Sequence, residues 1–271
     1  MHAEAETGKI VPLNPLAADA ATAPDQKLGP IRDHMLDFEL LRRNLIVGFE
    51  STNSEDAHPF SVLRSQLLKH VRCTEKRIFG IMSVQPANGK SHVAINLAAA
   101  LARIQPTVLI ELDLRRPSIG QSLGLPTYHP GVDDYLAGTA EFQDTGIQIH
   151  DTELTVHRVR NSNANPESLL SSGKLLELTE AIRNAPDRPI CIIDTPPAVI
   201  HDDIMLIAPA IESVIMVVQE GRTTKRALTN TIKSLSPTPV IGTVLNMSIS
   251  SPPQTSEYGD YYLLDTVHQS A

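Results

Sequence analysis

The chain has 271 residues, of which 41% are hydrophobic and only 4% aromatic, and its formal net charge is −8 at pH 7. This length and composition suit one large globular α/β domain with extensions. The acidic balance argues against a general nucleic-acid-binding surface, which needs clustered Lys and Arg, and no run approaches the ~20 apolar residues of a membrane span.

Two further features favour the cytosol. The N-terminus has no apolar leader of the secretory kind. The two cysteines, Cys73 and Cys191, match no zinc, haem or disulfide pattern. Cys191 lies inside an apolar run, and we expect it to be a small core residue.

The first part of the chain divides into a tail and a helical segment. Residues 1–34 are rich in Ala, Pro, Asp and Thr with poor periodicity, which predicts a disordered tail. Residues 35–75 predict a helical lead-in to the main domain, with apolar side chains at helical spacing. Those side chains are Phe60, Leu63, Leu67 and Val71.

In residues 76–250, short apolar runs alternate with helical patterns. The strand-like runs are RIFGIMSV, TVLIEL, PICIID, ESVIMVV and PVIGTVLNM. The helical patterns cover roughly 92–104, 166–185 and the segment TTKRALTNTIKSL. Short apolar strands separated by helices predict a doubly wound α/β domain with a mostly parallel sheet covered on both faces.

The segment VQPANGKSH joins the first strand to the first long helix. The P-loop pattern is Gly, four residues, then Gly-Lys-Ser/Thr, and here Val84 replaces the first glycine. Gly89 lets the backbone approach a phosphate, Lys90 brings a charge to the β/γ oxygens, and Ser91 offers a hydroxyl to Mg²⁺ at a helix N-terminus. The segment therefore predicts a site for a nucleoside triphosphate, ATP by preference, with Mg²⁺.

Acidic residues follow two of the apolar strands. The second strand ends LIELDLRRP, which contains Glu111, Asp113 and Arg115, and the third ends CIIDTPP, which contains Asp194. Carboxylates at strand ends beside a P-loop hold the water shell of Mg²⁺. These ends therefore predict the metal side of the site.

The ordered set SVQPANGKS, ELDLRRP, IIDTPP, NPESLLSSGKLLEL and a Tyr-bearing C-terminus resembles the bacterial tyrosine kinases, the CpsD/CapB-like cytoplasmic autokinases of capsule and exopolysaccharide synthesis. The resemblance covers roughly residues 58–262. It implies a P-loop NTPase fold of the ParA/MinD-like branch. It also implies that FSVLRSQL, in the helical lead-in, mediates self-association.

The family loop reads Ser-x-x-Pro-Gly-Glu-Gly-Lys-Ser/Thr, and Ala87 and Asn88 replace its Gly and Glu. If the first of these positions needs a positive φ, Ala is a poor substitute for Gly. The loop residues that the resemblance assigns to nucleotide binding are Pro86, Ala87, Asn88, Gly89, Lys90 and Ser91. Partitioning and septum-placement ATPases carry a lysine where this chain has Gln85, which favours the kinase branch.

The resemblance implies that the acidic strand end corresponds to the family's Asp-x-Asp-x-Arg. Glu111 then takes the place of the residue that helps to activate the tyrosine hydroxyl, Asp113 that of a Mg²⁺ ligand, and Arg115 that of the arginine. Lys90 joins these as catalytic, and Ser91 and Asp194 complete the metal ligands. Glu is one methylene longer than Asp, and a misplacement of about 1 Å can cost ~10²-fold in rate. The departures leave phosphoryl transfer open.

Four other polar residues lie in or near the predicted site. Asn246, at the end of the last strand, either contacts the base or forms a turn. Arg116 is interpreted as a surface residue, and Asp202 and Asp203 as a helix N-cap pair. The tail, residues 251–271, offers phosphate-acceptor candidates. These are Tyr258, Tyr261 and Tyr262, three of the chain's five tyrosines.

Three functions follow from these residues. The first is an ATP-dependent tyrosine autokinase regulating exopolysaccharide or capsule export. The second is a nucleotide-binding assembly switch without efficient transfer, and the third is a ParA/MinD-like ATPase. The resemblance implies a separate membrane polysaccharide co-polymerase as activator, which would bring a cytoplasmic chain to the inner face of the membrane without inserting it.

Overall fold

An eight-stranded sheet organises the residues that the computed structural model describes, which are 30–50, 54–198 and 202–248. The strands are β1 (Ile31–His34), β2 (Ile78–Ser83), β3 (Thr107–Glu111), β4 (Ile147–Ile149), β5 (Leu154–His157), β6 (Ile190–Asp194), β7 (Ser213–Gln219) and β8 (Val240–Asn246). Their order is β1-β4-β5-β3-β6-β2-β7-β8. Neighbouring strands are parallel except the antiparallel pair β4–β5. The prediction of a mostly parallel sheet is confirmed.

Helices cover both faces of this sheet. They are α1 (Phe38–Arg43), α2 (His58–Thr74), α3 (Lys90–Ala102), α4 (Ile119–Leu123), α5 (Val132–Leu136), α6 (Glu167–Leu170), α7 (Lys174–Arg183), α8 (Asp203–Ile207) and α9 (Lys225–Ser234). The central strand β2 is buried along its whole length. Because successive side chains of a strand point to opposite faces, Phe79 and Ile81 join a core with α2 and α3, whereas Ile78 and Met82 join a second core with α5 to α8.

The structure departs from the predicted elements at the N-terminus and in one helix. The last four residues of the predicted tail form β1, which pairs with β4. The single helix predicted over 166–185 is two helices, α6 and α7, with Gly173 between them at φ +80°. Helix α6 ends at Leu170 with Ser171 as its C-cap, and the left-handed Gly173 is the N-cap of α7. The run of leucines on both sides concealed the break.

The remaining expectations for the core and the membrane can be compared directly. Cys191 is fully buried, and burial raises the pKa of its thiol, so it is the core residue that the sequence predicted. None of the helices among the described residues is both long and apolar enough to cross a membrane. The three tail tyrosines lie outside the described residues.

Candidate functional site

The predicted site residues come together because of strand order. Strand β6 lies between β3 and β2, and Asp194 is level with Glu111 on one side and Ile81 on the other. The carboxyl ends of parallel strands meet at one edge of a sheet, which is where such folds bind ligands. The loop after β2, the residues after β3 and the end of β6 therefore face one another.

The phosphate loop has the left-handed backbone that its sequence pattern requires. Ala87 has φ +60° and Gly89 has φ +81°. A Cβ on Gly89 would lie 2.1 Å from the side-chain nitrogen of Asn246, so a larger residue would displace Asn246 and would also be strained at this φ. Helix α3 starts at Lys90 with no side-chain cap, and its first N–H groups can bind an anion.

Lys90 lies between the two predicted metal carboxylates. Its Nζ is 2.8 Å from Asp113 Oδ2 and 3.6 Å from Asp194 Oδ1. It also donates to the hydroxyl of Ser91 at 3.2 Å. Burial by itself would lower the pKa of Lys90, but the negative charges of Asp194 and Asp113 outweigh it and raise that pKa. Lys90 is therefore a cation.

Asp194 is a buried carboxylate that a cation would suit. Its side chain is fully buried, and neither carboxylate oxygen has a hydrogen-bond partner. Burial raises its pKa, and the charge of Lys90 opposes that shift. Buried carboxylates are normally paired or bound to metals, and hydroxyl and carboxylate oxygens are the ligands that Mg²⁺ prefers. The donor set of Ser91, Asp113 and Asp194 therefore fits Mg²⁺.

These groups line a cavity of about 240 Å³ at the edge of the sheet. Its lining consists of Pro86, Ala87, Lys90, Ser91, Asp113, Arg115, Arg116, Ser118, Pro196 and Pro197. Four of the loop residues assigned to the nucleotide thus line this cavity, together with Asp113 of the residues assigned to the metal. Asp194 lies next to them, in contact with Lys90. Glu111 is not among the lining residues.

The Glu111 carboxylate binds backbone N–H groups and does not line the cavity. One carboxylate oxygen accepts from the N–H groups of Ser118 at 2.5 Å and Ile119 at 2.8 Å, and the other from Val159 N–H at 2.9 Å. Burial raises its pKa to about 7, against the opposing effect of these hydrogen bonds. Its extra methylene extends the carboxylate to the start of α4 and the end of β5. The carboxylate is thus engaged by three backbone N–H groups, and its part in activating a tyrosine stays a prediction.

The two arginines both line the cavity but differ in their partners. Arg115 lines the cavity, but its guanidinium is bound by Asp203 at 2.7 Å and by Glu167 at 2.5 Å. Hydrogen bonding to Asp203 raises the pKa of Arg115. Arg116, interpreted as a surface residue, is exposed, lines the cavity and has no ion pair within the described residues. Arg116 is therefore the cation that a bound anion can reach.

Asp203 corrects another expectation. It is buried and pairs with Arg115, and it forms the first residue of α8, so it is not an N-cap. Asp202 occupies the N-cap position, but its side chain makes no cap hydrogen bond. Sequence reasoning missed the Arg115–Asp203 pair because 88 positions separate its members.

A second set of polar contacts joins the phosphate loop to β8 and to the turn before α9. The Asn246 side-chain N–H group donates to the backbone oxygen of Asn88 at 2.9 Å. Asn88 is buried, and its own side-chain N–H group donates to the Thr223 hydroxyl at 3.0 Å. Asn246 thus contacts the phosphate loop, and its contact with a base stays a prediction. Thr223, in the turn before α9, was missed because no motif marks it.

No family model matches the chain. Among curated proteins, it is 30% identical to the tyrosine-protein kinase CpsD of Streptococcus agalactiae over 190 residues, which are 69% of this chain and 82% of CpsD. It is 28% identical over 260 residues to the succinoglycan biosynthesis transport protein ExoP of Rhizobium meliloti. That match covers 88% of this chain but only 32% of ExoP.

Among solved structures, the VpsO kinase domain matches with a TM-score of 0.65 at 29% identity, covering 78% of this chain and 98% of that domain. The septum site-determining protein MinD of Pyrococcus horikoshii, complexed with Mg-ADP, matches with a TM-score of 0.53 at 23% identity over 66% of this chain and 75% of MinD. The likeness to MinD concerns the fold alone.

Proposed function

The chain belongs to the bacterial tyrosine kinase family that includes CpsD, and from this premise we propose that it is an ATP- and Mg²⁺-dependent tyrosine autokinase acting in capsule or exopolysaccharide synthesis. The observation that carries the proposal is the position of Lys90 between Asp113 and Asp194, beside Ser91, at the first turn of α3. A lysine, a hydroxyl and two carboxylates in this arrangement are what phosphoryl transfer requires.

Different residues of the site contact different parts of the nucleotide. The backbone of residues 87–91 holds the phosphates at the start of α3. Asn246 keeps its hydrogen bond to the loop and offers its amide oxygen to the exocyclic amine of adenine. Lys90 and Arg116 place positive charge beside the transferred phosphoryl group.

Ser91, Asp113 and Asp194 would hold the metal ion. When bound, Mg²⁺ neutralises the charge that develops on the phosphoryl oxygens. Asp194 contributes because its buried oxygens are without hydrogen-bond partners. Asp113 contributes because it lines the cavity beside Lys90.

The proposed acceptors are Tyr258, Tyr261 and Tyr262, presented to a neighbouring copy of the chain. The tyrosine oxygen forms a bond to the γ-phosphorus while the bond from that phosphorus to ADP breaks, and the hydroxyl proton passes to solvent water. Support for this step comes from the family and from the clustering of these tyrosines.

The test is phosphotyrosine detection on the purified full chain after incubation with Mg-ATP. We expect signal in the wild type, no signal in Lys90→Ala, and none in a chain that ends before Tyr258. Lys233→Ala, an exposed lysine far along α9, is the matched control and should keep the signal. Absence of phosphotyrosine in the wild type, also with its membrane partner's cytoplasmic segment present, would contradict the proposal.

Two observations favour a second candidate, a nucleotide-binding switch that does not phosphorylate itself. Ala87 has a backbone conformation that alanine adopts with strain, and the carboxylate of Glu111 is engaged by three backbone N–H groups. Tight Mg-ATP binding in calorimetry with unmodified tyrosines would identify this function. Phosphorylation that Lys90→Ala abolishes would exclude it.

We further propose that a separate membrane polysaccharide co-polymerase activates the chain, which self-associates at the inner face of the membrane. The support is that this chain matches 32% of ExoP, a transport protein whose remaining sequence lies outside the match. Co-purification with the cytoplasmic segment of a co-polymerase, and light scattering of the mixture, test this arrangement. A monomer that binds no such segment would contradict it.

A further inference from the structure

Three basic side chains surround the start of α9. Arg222 lies in the turn before the helix, and Lys225 and Arg226 are its first two residues. All three are exposed, and none forms an ion pair within the described residues. The first turn of α9 contains no acidic residue. We call these three residues the α9 basic patch.

These charges are unfavourable where they stand. Cations near a helix N-terminus oppose the helix dipole. Like charges close together also repel one another. An anionic partner on the patch would remove both penalties.

The C-terminal end of the described chain lies beside this patch. Strand β8 pairs with β7, with Asn246 level with Gln219. Two residues later, the hydroxyl of Ser248 donates to the carboxylate of Glu220 at 2.7 Å. Glu220 is only two positions from Arg222, so the described part of the chain ends at Ser248 next to the α9 basic patch.

Residues 249–271 carry the complementary charge. They contain Glu257, Asp260 and Asp265 and no Lys or Arg. These carboxylates alternate with the predicted acceptor tyrosines. We propose that the chain's own acidic tail, residues 249–271, docks on the α9 basic patch.

The length of the tail and its covalent attachment favour it as the segment that binds the α9 basic patch. Glu257 is nine residues beyond Ser248, and an extended chain of that length spans up to about 30 Å, so the tail can turn back to the patch. Because the tail is covalently attached, its effective concentration at the patch is in the millimolar range. An acidic protein of net charge −8 repels polyanions such as nucleic acid over most of its surface.

Docking at this patch brings the tail next to the nucleotide loop. Thr223, which follows Arg222, accepts the hydrogen bond from Asn88. The docked tail would therefore lie against the turn that supports the phosphate loop. The inference does not require phosphoryl transfer, and its test is done without nucleotide.

The test measures chymotrypsin cleavage after Tyr258, Tyr261 and Tyr262 in the full chain. For the wild type we expect cleavage at low salt to be at least about fivefold slower than at ~0.5 M NaCl, because salt screens exposed charges. Arg222→Glu/Lys225→Glu/Arg226→Glu should be cleaved at low salt as fast as the wild type at high salt. This variant places acidic residues where the helix dipole favours them, so the fold should be retained.

The matched control reverses three other exposed cations, Arg42, Arg43 and Lys233, to Glu and should keep the wild-type protection. Reversing the tail as well, with Glu257→Lys, Asp260→Lys and Asp265→Lys in the patch variant, should restore protection. Equal cleavage of the wild type and the patch variant would overturn the proposal. So would duplex DNA or anionic vesicles that bind the wild type but not the patch variant while cleavage of the tail is unchanged.

Discussion

At the scale of single residues, Ala87 is the clearest departure from the family pattern. It has φ +60°, a conformation that costs an L-residue roughly 1–2 kcal/mol. We expect Ala87→Gly to raise the free energy of unfolding by up to about 1 kcal/mol, since glycine removes the strain but loses more entropy on folding. Urea denaturation measures the change. The matched control is Ala100→Gly, within α3, which should lower stability by about 1 kcal/mol.

Glu111 gives a prediction that separates a structural from a catalytic part. Glu111→Gln leaves an amide N–H facing the buried N–H of Val159, so stability should fall by about 1–3 kcal/mol. We expect Mg-ATP affinity to persist at temperatures where the variant is folded. Calorimetry and urea denaturation measure the two effects. Unchanged stability with complete loss of phosphotyrosine would instead show that Glu111 takes part in the chemistry.

Substitution of Arg115 should lower stability, whereas substitution of Arg116 should affect nucleotide binding instead. Arg115→Ala leaves Asp203 buried and unpaired, so stability should fall by about 1–3 kcal/mol, allowing for the partial opening of Arg115 to the cavity. Arg116→Ala should leave stability within about 0.5 kcal/mol of the wild type and weaken ATP more than ADP. Titrations with both nucleotides test this, and equal weakening of both would place Arg116 away from the γ-phosphate.

At the scale of elements, β5 contains a histidine that makes stability depend on pH. His157 is buried and stacks on Phe142 with ring centroids 4.0 Å apart. The Thr145 hydroxyl donates to Phe142 O, so it accepts from His157 Nδ1 at 2.8 Å. Burial lowers the pKa of His157 to about 3, with the charge of His129 as a smaller cause.

The unfolded chain therefore binds a proton at His157 between pH 6.5 and about 3 that the folded chain does not. Stability from this group is present above pH 6.5 and is lost as the pH falls, by up to about 1.4 kcal/mol per pH unit. His157→Gln should flatten this slope in urea midpoints. His150→Gln is the control of opposite sign, because Asp33 raises the pKa of His150 and that contribution is lost as the pH rises.

The elements that sequence predicted best are those with strong local signals. The apolar run 78–83 and the periodic helix beginning near residue 90 were predicted because burial dictates their composition. Strands β4 and β5 were missed since they have only three and four residues, too few for a period to show. The break at Gly173 depends on a backbone angle that leucine periodicity does not record.

At the scale of the whole molecule, ligand binding should appear as stability. Mg-ATP at about 100 times its Kd adds about 2.7 kcal/mol to the folded state, or roughly 5–10 °C in Tm for a chain of this size. Lys90→Ala should remove most of this shift. Differential scanning fluorimetry with and without Mg²⁺ measures it.

Asp194→Asn should raise the Tm of the ligand-free protein and remove the gain in Tm that Mg-ATP gives the wild type. Without ligand it removes a buried carboxylate that has no hydrogen-bond partner, while Asp113, 2.8 Å from Lys90 Nζ, still pairs with the lysine, so Tm should rise. With Mg-ATP the additional rise seen in the wild type should be lost. The exposed Asp187→Asn is the control and should change neither value. A fall in the ligand-free Tm would show that Asp194 stabilises the empty site.

The sequence predicted the site to the extent that its residues sit in motifs. Gly89, Lys90, Ser91, Asp113 and Asp194 were found because strand ends of a parallel sheet converge. The direction in which a side chain points was not predicted from the motifs. Glu111 turns to three backbone N–H groups and Arg115 to Asp203, and these choices depend on partners far along the chain.

The double contact of Lys90 has a thermodynamic consequence. Asp113 and Asp194 cannot neutralise Lys90 and a metal ion in full at once, so the lysine acts as an internal counter-ion while the site is empty. A phosphate that draws the ammonium away leaves the carboxylates ready for a divalent cation, and the reverse also holds. Linkage requires that each ligand raise the affinity of the other by the same factor. The chain would therefore select the magnesium–nucleotide complex over either component alone.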